Sequence, residues 1–411
     1  MNESAQTLSL LILLVGAIST ISILIKEGMT RLGLPSLVGY LVLGFLLRLA
    51  DSQWQFLGEP GQEIFEFLAE VGVISLLFRV GLESDLAGLM HQLSRATKIW
   101  IGDIFVNGGL GFVTSYWLLG LAFIPSLFIA IAFTATSVGV SIGVWQEENV
   151  TDSKYGELLL DVAELDDISG VILMALLFAI APAIQDSGTG RLLPVIAKTS
   201  GIFFLEAVVF GAFCYVFSRF FEAKLTKFFR RIEAPPEPML EVVGIGFIIA
   251  AIAGLLGFSV AIGAFFAGLV FSRDPNAVKF DASFDSLYEL FTPFFFIGIG
   301  LKINPSALTA ALGMGGILLL AAVLGKLIGA GGPTLLTTGW TGAALIGVSM
   351  VPRAEITMIV MGKGLSLGEW AVSNQVFAAM VVVSAVTSIL APIILRSLLN
   401  KLPEIPTGVS N

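Results

Sequence analysis

Apolar residues in this chain run in long stretches, not at amphipathic spacing, and most stretches approach the roughly 20 residues a helix needs to cross a hydrocarbon core. Bounded by Pro, Gly or charged clusters, they fall at 7–25, 35–50, 63–82, 97–121, 126–146, 157–182, 195–221, 238–256, 258–273, 287–302, 306–331, 340–361 and 372–398. The pattern predicts an all-α polytopic membrane protein with about 13 transmembrane helices, residues 1–411 forming one integral membrane unit. Several runs are short or carry Gly and Pro, so interrupted helices are expected among them. The start, Met1 to Gln6, is not basic and the first run is as long as a full span, so the first helix is expected to stay in the mature protein.

Composition narrows the function classes. Of 411 residues, 56% are hydrophobic and 13% charged, with a mean hydropathy of +0.93, whereas soluble domains carry roughly 25% charged residues. Thirteen spans leave no chain for a sizeable soluble domain. A single Cys (Cys214) and a single His (His91) exclude an internal disulfide, iron–sulfur clusters and Cys- or His-based zinc sites; no cofactor is expected. A net charge of −9 argues against nucleic acid, whose phosphates need a basic face. A transporter or channel in a lipid bilayer remains.

The 22 Lys and Arg test the topology. With the N-terminus outside, about fourteen fall in inner loops and the C-terminal tail, including Lys26, Arg31, Lys154, Arg219, Lys224, Arg396 and Lys401, against about five outside. This bias predicts an external N-terminus and a cytoplasmic C-terminus in a cell (inner) membrane. The other three, Arg79, Lys326 and Arg353, fall in or at the edge of apolar runs, where charge is costly and marks candidate function.

The polar segment 219–240, with Pro235-Pro236-Glu237-Pro238, divides the chain nearly in half and reads as a cytoplasmic linker. The flanking halves, 35–218 and 241–398, resemble each other at a shift of about 220 residues. Gly39 and Gly44 in LVGYLVLG match Gly263 and Gly268 in AIGAFFAG, and Gly81-Leu82 matches Gly300-Leu301. The same shift lays Thr134-Ala135-Thr136-Ser137 over Arg353-Ala354-Glu355-Ile356, two polar interruptions of apolar runs. An odd number of crossings between them makes the halves inverted repeats, in which paired broken helices meet at the membrane midplane and build the ion site.

Asp161, Glu164, Asp166 and Asp167 open an apolar helix. Adjacent aspartates point in different directions at 100° per residue, while Glu164 lies roughly on the Asp167 side. A carboxylate withdrawn from water needs a proton, a cation or a basic partner. Lys326 stands in the middle of AAVLGKLIGA; if it pairs with Asp166, Asp167 is left to alternate between proton and cation. Thr134, Thr136, Ser137 and the carbonyls freed at the break are oxygen ligands for a hard cation. Pro352 breaks its helix, making Arg353 and Glu355 a mutual or cross-half charge pair. Glu70 and Asp103 also sit in apolar runs and are candidates to line a path.

Together PSLVGYLVLGFLL, LAEVGVISLLFRVGLESDL, TATSVGVS, ELDDISG, SVAIGAFFAGLV, TPFFFIGIGL, GKLIGA and VPRAE resemble the monovalent cation:proton antiporter-2 family, over nearly the whole chain. The resemblance implies two crossing, partly unwound helices, a core domain moving against a dimerisation domain, and a homodimer. By it, Asp167 corresponds to the ion- and proton-binding aspartate, Asp166 to its neighbour paired with the helix lysine, and Lys326 to that lysine. Thr134 and Thr136 match the first crossing helix, Arg353 and Glu355 the second. Na+ and H+ are the implied substrates, with K+/H+ exchange or K+ efflux as the alternative; Glu164 is an acid the pattern does not carry and leaves Ca2+ open. The potassium efflux members carry a C-terminal nucleotide-binding domain, which is not expected in the short stretch after the last run. A channel lacks a selectivity-filter-like motif here, and an intramembrane aspartyl protease needs its two aspartates on different helices.

Overall fold

The computed structural model describes residues 3–84, 86–187, 192–222, 224, 239–272 and 277–401. Among these residues the regular structure is helical. The first half holds α1 (Glu3–Arg31), α2 (Ser36–Trp54), α3 (Gly58–Glu83), α4 (Leu86–Val113), α5 (Phe123–Thr134), α6 (Val138–Glu147), α7 (Lys154–Ser187) and α8 (Leu192–Phe217). The second holds α9 (Met239–Leu255), α10 (Val260–Phe271), α11 (Ala277–Leu301), α12 (Pro305–Gly329), α13 (Gly331–Ser349, kinked at Gly339), α14 (Glu355–Leu367) and α15 (Asn374–Leu399). Single π-turns, Thr114–Leu118 and Ser218–Glu222, extend α4 and α8. Each predicted apolar run falls on one helix, except 126–146 and 340–361, which fall on helices interrupted in the middle. The predicted linker at 219–240 lies, apart from its ends, outside the described residues.

Six described stretches are long and apolar enough to cross a membrane on those grounds alone: Leu11–Arg31, Phe123–Glu147, Lys154–Ser187, Leu192–Phe221, Pro305–Gly329 and Asn374–Leu399. The others are shorter or carry more charge. The α10 helix is short but largely buried, packed against α3 and α9.

Glycines set how closely the helices approach. In lipid there is no hydrophobic force between helices, so association rests on backbone proximity and dispersion. A Cβ on Gly44 of α2 would lie 2.1 Å from the Ile297 carbonyl oxygen of α11, and one on Gly300 would lie 2.3 Å from the Leu41 carbonyl oxygen. The same relation joins α3 and α10: a Cβ on Gly81 would stand 2.1 Å from the Phe265 oxygen, and one on Gly268 2.1 Å from the Phe78 oxygen. Gly39 faces Ile25 and Met29 of α1, as Gly263 faces Ala250 and Ala253 of α9. Gly268→Ala is therefore expected to cost about 1–3 kcal/mol, because backbone carbonyls cannot move aside. Gly313→Ala, with nothing within 4 Å of its Cβ, is expected to be neutral. Thermal melts in detergent separate the two, and equal melting would contradict the close packing.

Two broken helices cross in the interior. The α5 helix stops at Thr134 and α6 resumes at Val138, while α13 stops at Ser349 and α14 resumes at Glu355. Pro352 lacks an N–H and cannot continue a helix; its carbonyl accepts the Ser137 backbone N–H at 2.8 Å. Thr357 Oγ1 donates to the Ala132 carbonyl at 2.9 Å, and Trp145 Nε1 to Ser349 Oγ at 3.0 Å. The breaks thus satisfy each other's freed backbone groups, which hydrocarbon would leave orphaned.

Candidate functional site

The end of α5 presents carbonyls with no intrahelical partner and the negative pole of the helix dipole. Two cations meet it. Arg353 Nη2 donates to the Phe133 carbonyl at 3.0 Å, and Lys326 Nζ to the Thr134 carbonyl at 2.8 Å. Both side chains are fully buried.

Lys326, on α12, makes two further hydrogen bonds: to Thr136 Oγ1 at 2.6 Å and to Asp103 Oδ2 at 2.5 Å. Asp166 Oδ1 stands 4.0 Å away. The expected Lys326–Asp166 ion pair is present at 4.0 Å, and the hydrogen bond goes to Asp103, a second carboxylate partner that was not expected. The cause lies in the α4–α12 seam, where a Cβ on Gly102 would lie 2.7 Å from the Gly329 carbonyl oxygen and one on Gly325 2.3 Å from Asn107 Oδ1. That approach brings Asp103 onto the ammonium, whereas Asp166 reaches it from α7. Sequence reasoning gave Asp103 only a path-lining role. The missed signal is the i, i+4 spacing of Asp103 and Asn107 in an apolar run, which puts both on one helix face; Asn107 Nδ2 donates to Asp103 Oδ1 at 2.6 Å.

Arg353 and Glu355 do not pair with each other. Besides Phe133, the Arg353 guanidinium donates to Asn107 Oδ1 at 3.0 Å, the Ala322 carbonyl at 3.2 Å and the Val351 carbonyl at 3.0 Å. It lies 5.0 Å from the centroid of the Phe133 ring. Its contacts cross between the halves, as one of the two expectations had it, but to neutral acceptors. Glu355 Oε2 accepts instead from Ser137 Oγ across the crossing point.

Asp167 and Glu355, with Thr136 and Ser137, line a cavity of about 530 Å³. Its more exposed lining residues include Lys26 of α1, Glu147 of α6 and Arg396 of α15, and its wall includes the Arg79–Glu83 ion pair of α3. Asp167 lies thirteen residues into α7, about 20 Å along the axis from Lys154. Carboxylate and hydroxyl oxygens in one water-reachable place suit a hard cation. Asp166, Thr134, Lys326 and Arg353, all buried, and Glu164, half-buried one turn earlier on α7, are not among the lining residues. Glu70 is exposed on α3, away from the cavity wall. No group of three or more His, Cys, Asp and Glu spaced to hold a resident metal occurs among the described residues.

Residues 16–401 match the family model described as sodium/hydrogen exchanger, transmembrane. The chain is 28% identical over 374 residues to a Na+/H+ antiporter of Enterococcus hirae, covering 89% of this chain and 92% of that one. It is also 28% identical over 373 residues to the Na+/H+-K+ antiporter GerN of Bacillus cereus, covering 89% and 90%. The fold is similar to the solved sodium proton antiporter MjNhaP1 of Methanocaldococcus jannaschii, with a TM-score of 0.66 at 16% identity, covering 96% of this chain and 99% of that one.

Proposed function

The chain belongs to the transmembrane sodium/hydrogen exchanger family, and from that premise we propose that it is a secondary antiporter exchanging a monovalent cation, Na+ first, for protons. One observation carries the reading: Asp167 faces the cavity where two broken helices cross, with the oxygens of Thr136, Ser137 and Glu355 on the same wall. A carboxylate there binds either a proton or a cation and not both, so loading one releases the other. Exchange needs the site to reach each side of the membrane in turn, by one bundle moving against the other.

The reciprocal glycine contacts, Gly44 with Gly300 and Gly268 with Gly81, support two inverted repeats. The matched packing of Gly39 on α1 and Gly263 on α9 extends them to α1–α7 and α9–α15, with α8 connecting them. Lys26 and Arg396 on the cavity wall, read with the basic bias of the inner loops, support an inward-facing reading with a cytoplasmic C-terminus in a cell membrane. A homodimer, with a dimerisation domain holding the moving core, is the assembly we expect.

In proteoliposomes carrying a proton gradient, a Na+ pulse is expected to dissipate the gradient. A matched series of Na+, Li+, K+ and Ca2+ identifies the cargo. Flux of any of them at a rate indifferent to the pH gradient would replace the antiporter with a channel.

A further inference from the structure

Where α7, α8 and α10 meet, the packing is incomplete. Ala175 of α7, Phe203 of α8 and Ile262 of α10 form a small buried cluster apart from the main core, and beside it lies a second cavity, of about 170 Å³. Val171 and Ala175 form one wall, Phe203 and Ala207 the next, Ile262 and Phe265 the third; every lining side chain is Val, Ile, Ala or Phe. No polar side chain is there to hold water, and an apolar cavity of about 150 Å³ stays dry. Left empty, it deprives its walls of dispersion partners on one side. That loss counts in lipid, where helices associate through such contacts.

The cavity opens sideways. Its lining residues Phe204 and Val208 are exposed, and beside them on α8 stand Leu205 and Val209, 67% and 61% exposed. This is the outer side of a stretch long and apolar enough to cross the membrane, so the opening is continuous with the surface that meets lipid. Val171 and Ala175 sit midway along α7 (Lys154–Ser187), and Phe203 and Ala207 midway along α8 (Leu192–Phe217). A span centred in a hydrocarbon core of about 30 Å puts these residues at the depth of acyl chains, out of reach of headgroups. We propose that one acyl chain of a bilayer lipid enters from the α8 side and fills this cavity, wedged between α7 and α10. The inference goes beyond the antiporter reading and does not depend on it. Val171 stands one turn beyond Asp167, so the chain rests against the helix that carries the carboxylate of the crossing.

Photolabelling tests the proposal. The full chain is reconstituted in phosphatidylcholine vesicles doped with a phospholipid that carries an alkyl diazirine near the middle of one acyl chain, illuminated and digested, and the labelled residues are located by mass spectrometry. Label is expected on two sets of residues. Exposed Leu205 and Val209 meet any surrounding lipid, whereas Phe203, Ile262 and Phe265 are buried and meet only a chain inside the cavity. Ala207→Phe, which places a ring in the cavity, is expected to lose the label on the buried set and keep it on the exposed set. Label confined to Leu205 and Val209 in the wild type overturns the proposal, as does label on the buried set that survives Ala207→Phe in a protein with wild-type melting. Absence of label from both sets also overturns it, and assigns the covering of this side to a second copy of the chain. If Ala207→Phe does not fold, the smaller insertion Ala207→Leu takes its place, with the same loss expected, and the wild-type pattern is decisive by itself.

Discussion

Replacing Asp167 with Asn is expected to lower Na+-driven proton flux to the rate of protein-free vesicles. The amide keeps the shape of the carboxyl and leaves the cavity walls of Thr136, Ser137 and Glu355 in place. It removes the two properties exchange depends on, a proton that can leave and a negative charge for the cation. Loss through misfolding predicts a different signature. Asn is nearly isosteric with Asp and the site opens to the cavity, so no packing is lost and Asp167→Asn is expected to melt in detergent at or near the wild-type temperature. Direct Na+ binding should vanish with the flux. Wild-type exchange in a well-folded Asp167→Asn protein would dismiss Asp167 as the carrier, leaving Glu355, the other carboxylate on that wall near the crossing, as the group to test.

The legible part of the site was what local chemistry marks. Thr134 to Ser137 and Pro352 to Glu355 interrupt apolar runs, and in a bilayer an interruption has to be satisfied by something, so the two breaks were readable as partners before their contacts were known. Asp167 was readable because four acids at the head of an apolar helix are costly. What the sequence did not yield was partner choice. Lys326, Asp103 and Asp166 come from three helices, and which carboxylate hydrogen-bonds the ammonium depends on how closely α4 and α12 approach through Gly102, Gly325 and Gly329. A one-dimensional pattern shows the glycines but not which backbone each one meets. Glu355 shows the same limit: its neighbour Arg353 is two residues away in sequence, yet the fold turns the two side chains to opposite sides of the break, one to Ser137 and the other to α4, α5 and α12.

That separation makes Arg353 the residue whose removal should cost the most stability. Its guanidinium ties four places that no other described side chain joins: Asn107 on α4, the Phe133 carbonyl at the end of α5, the Ala322 carbonyl on α12 and the Val351 carbonyl in its own break. Its own carbonyl accepts from Ser384 Oγ at 2.6 Å on α15, so the backbone there stays anchored whatever the side chain. Arg353→Met keeps an apolar stem and deletes the donors. Each buried acceptor left without a partner costs roughly 1–3 kcal/mol, and the end of α5 also loses the positive charge facing its dipole. A loss of about 3 kcal/mol or more is therefore expected, read as a large drop in melting temperature in detergent. Arg353→Lys should recover only part of it, because a compact ammonium on a flexible stem cannot span acceptors that a planar fork reaches from one position. Transport should fall in both variants in the same order as stability, since the carbonyls released at Phe133 border the break that carries Thr136 and Ser137. An Arg353→Met protein that melts with the wild type would mean the crossing is held by the backbone contact between Ser137 and Pro352 and by Thr357, with the guanidinium contributing nothing measurable.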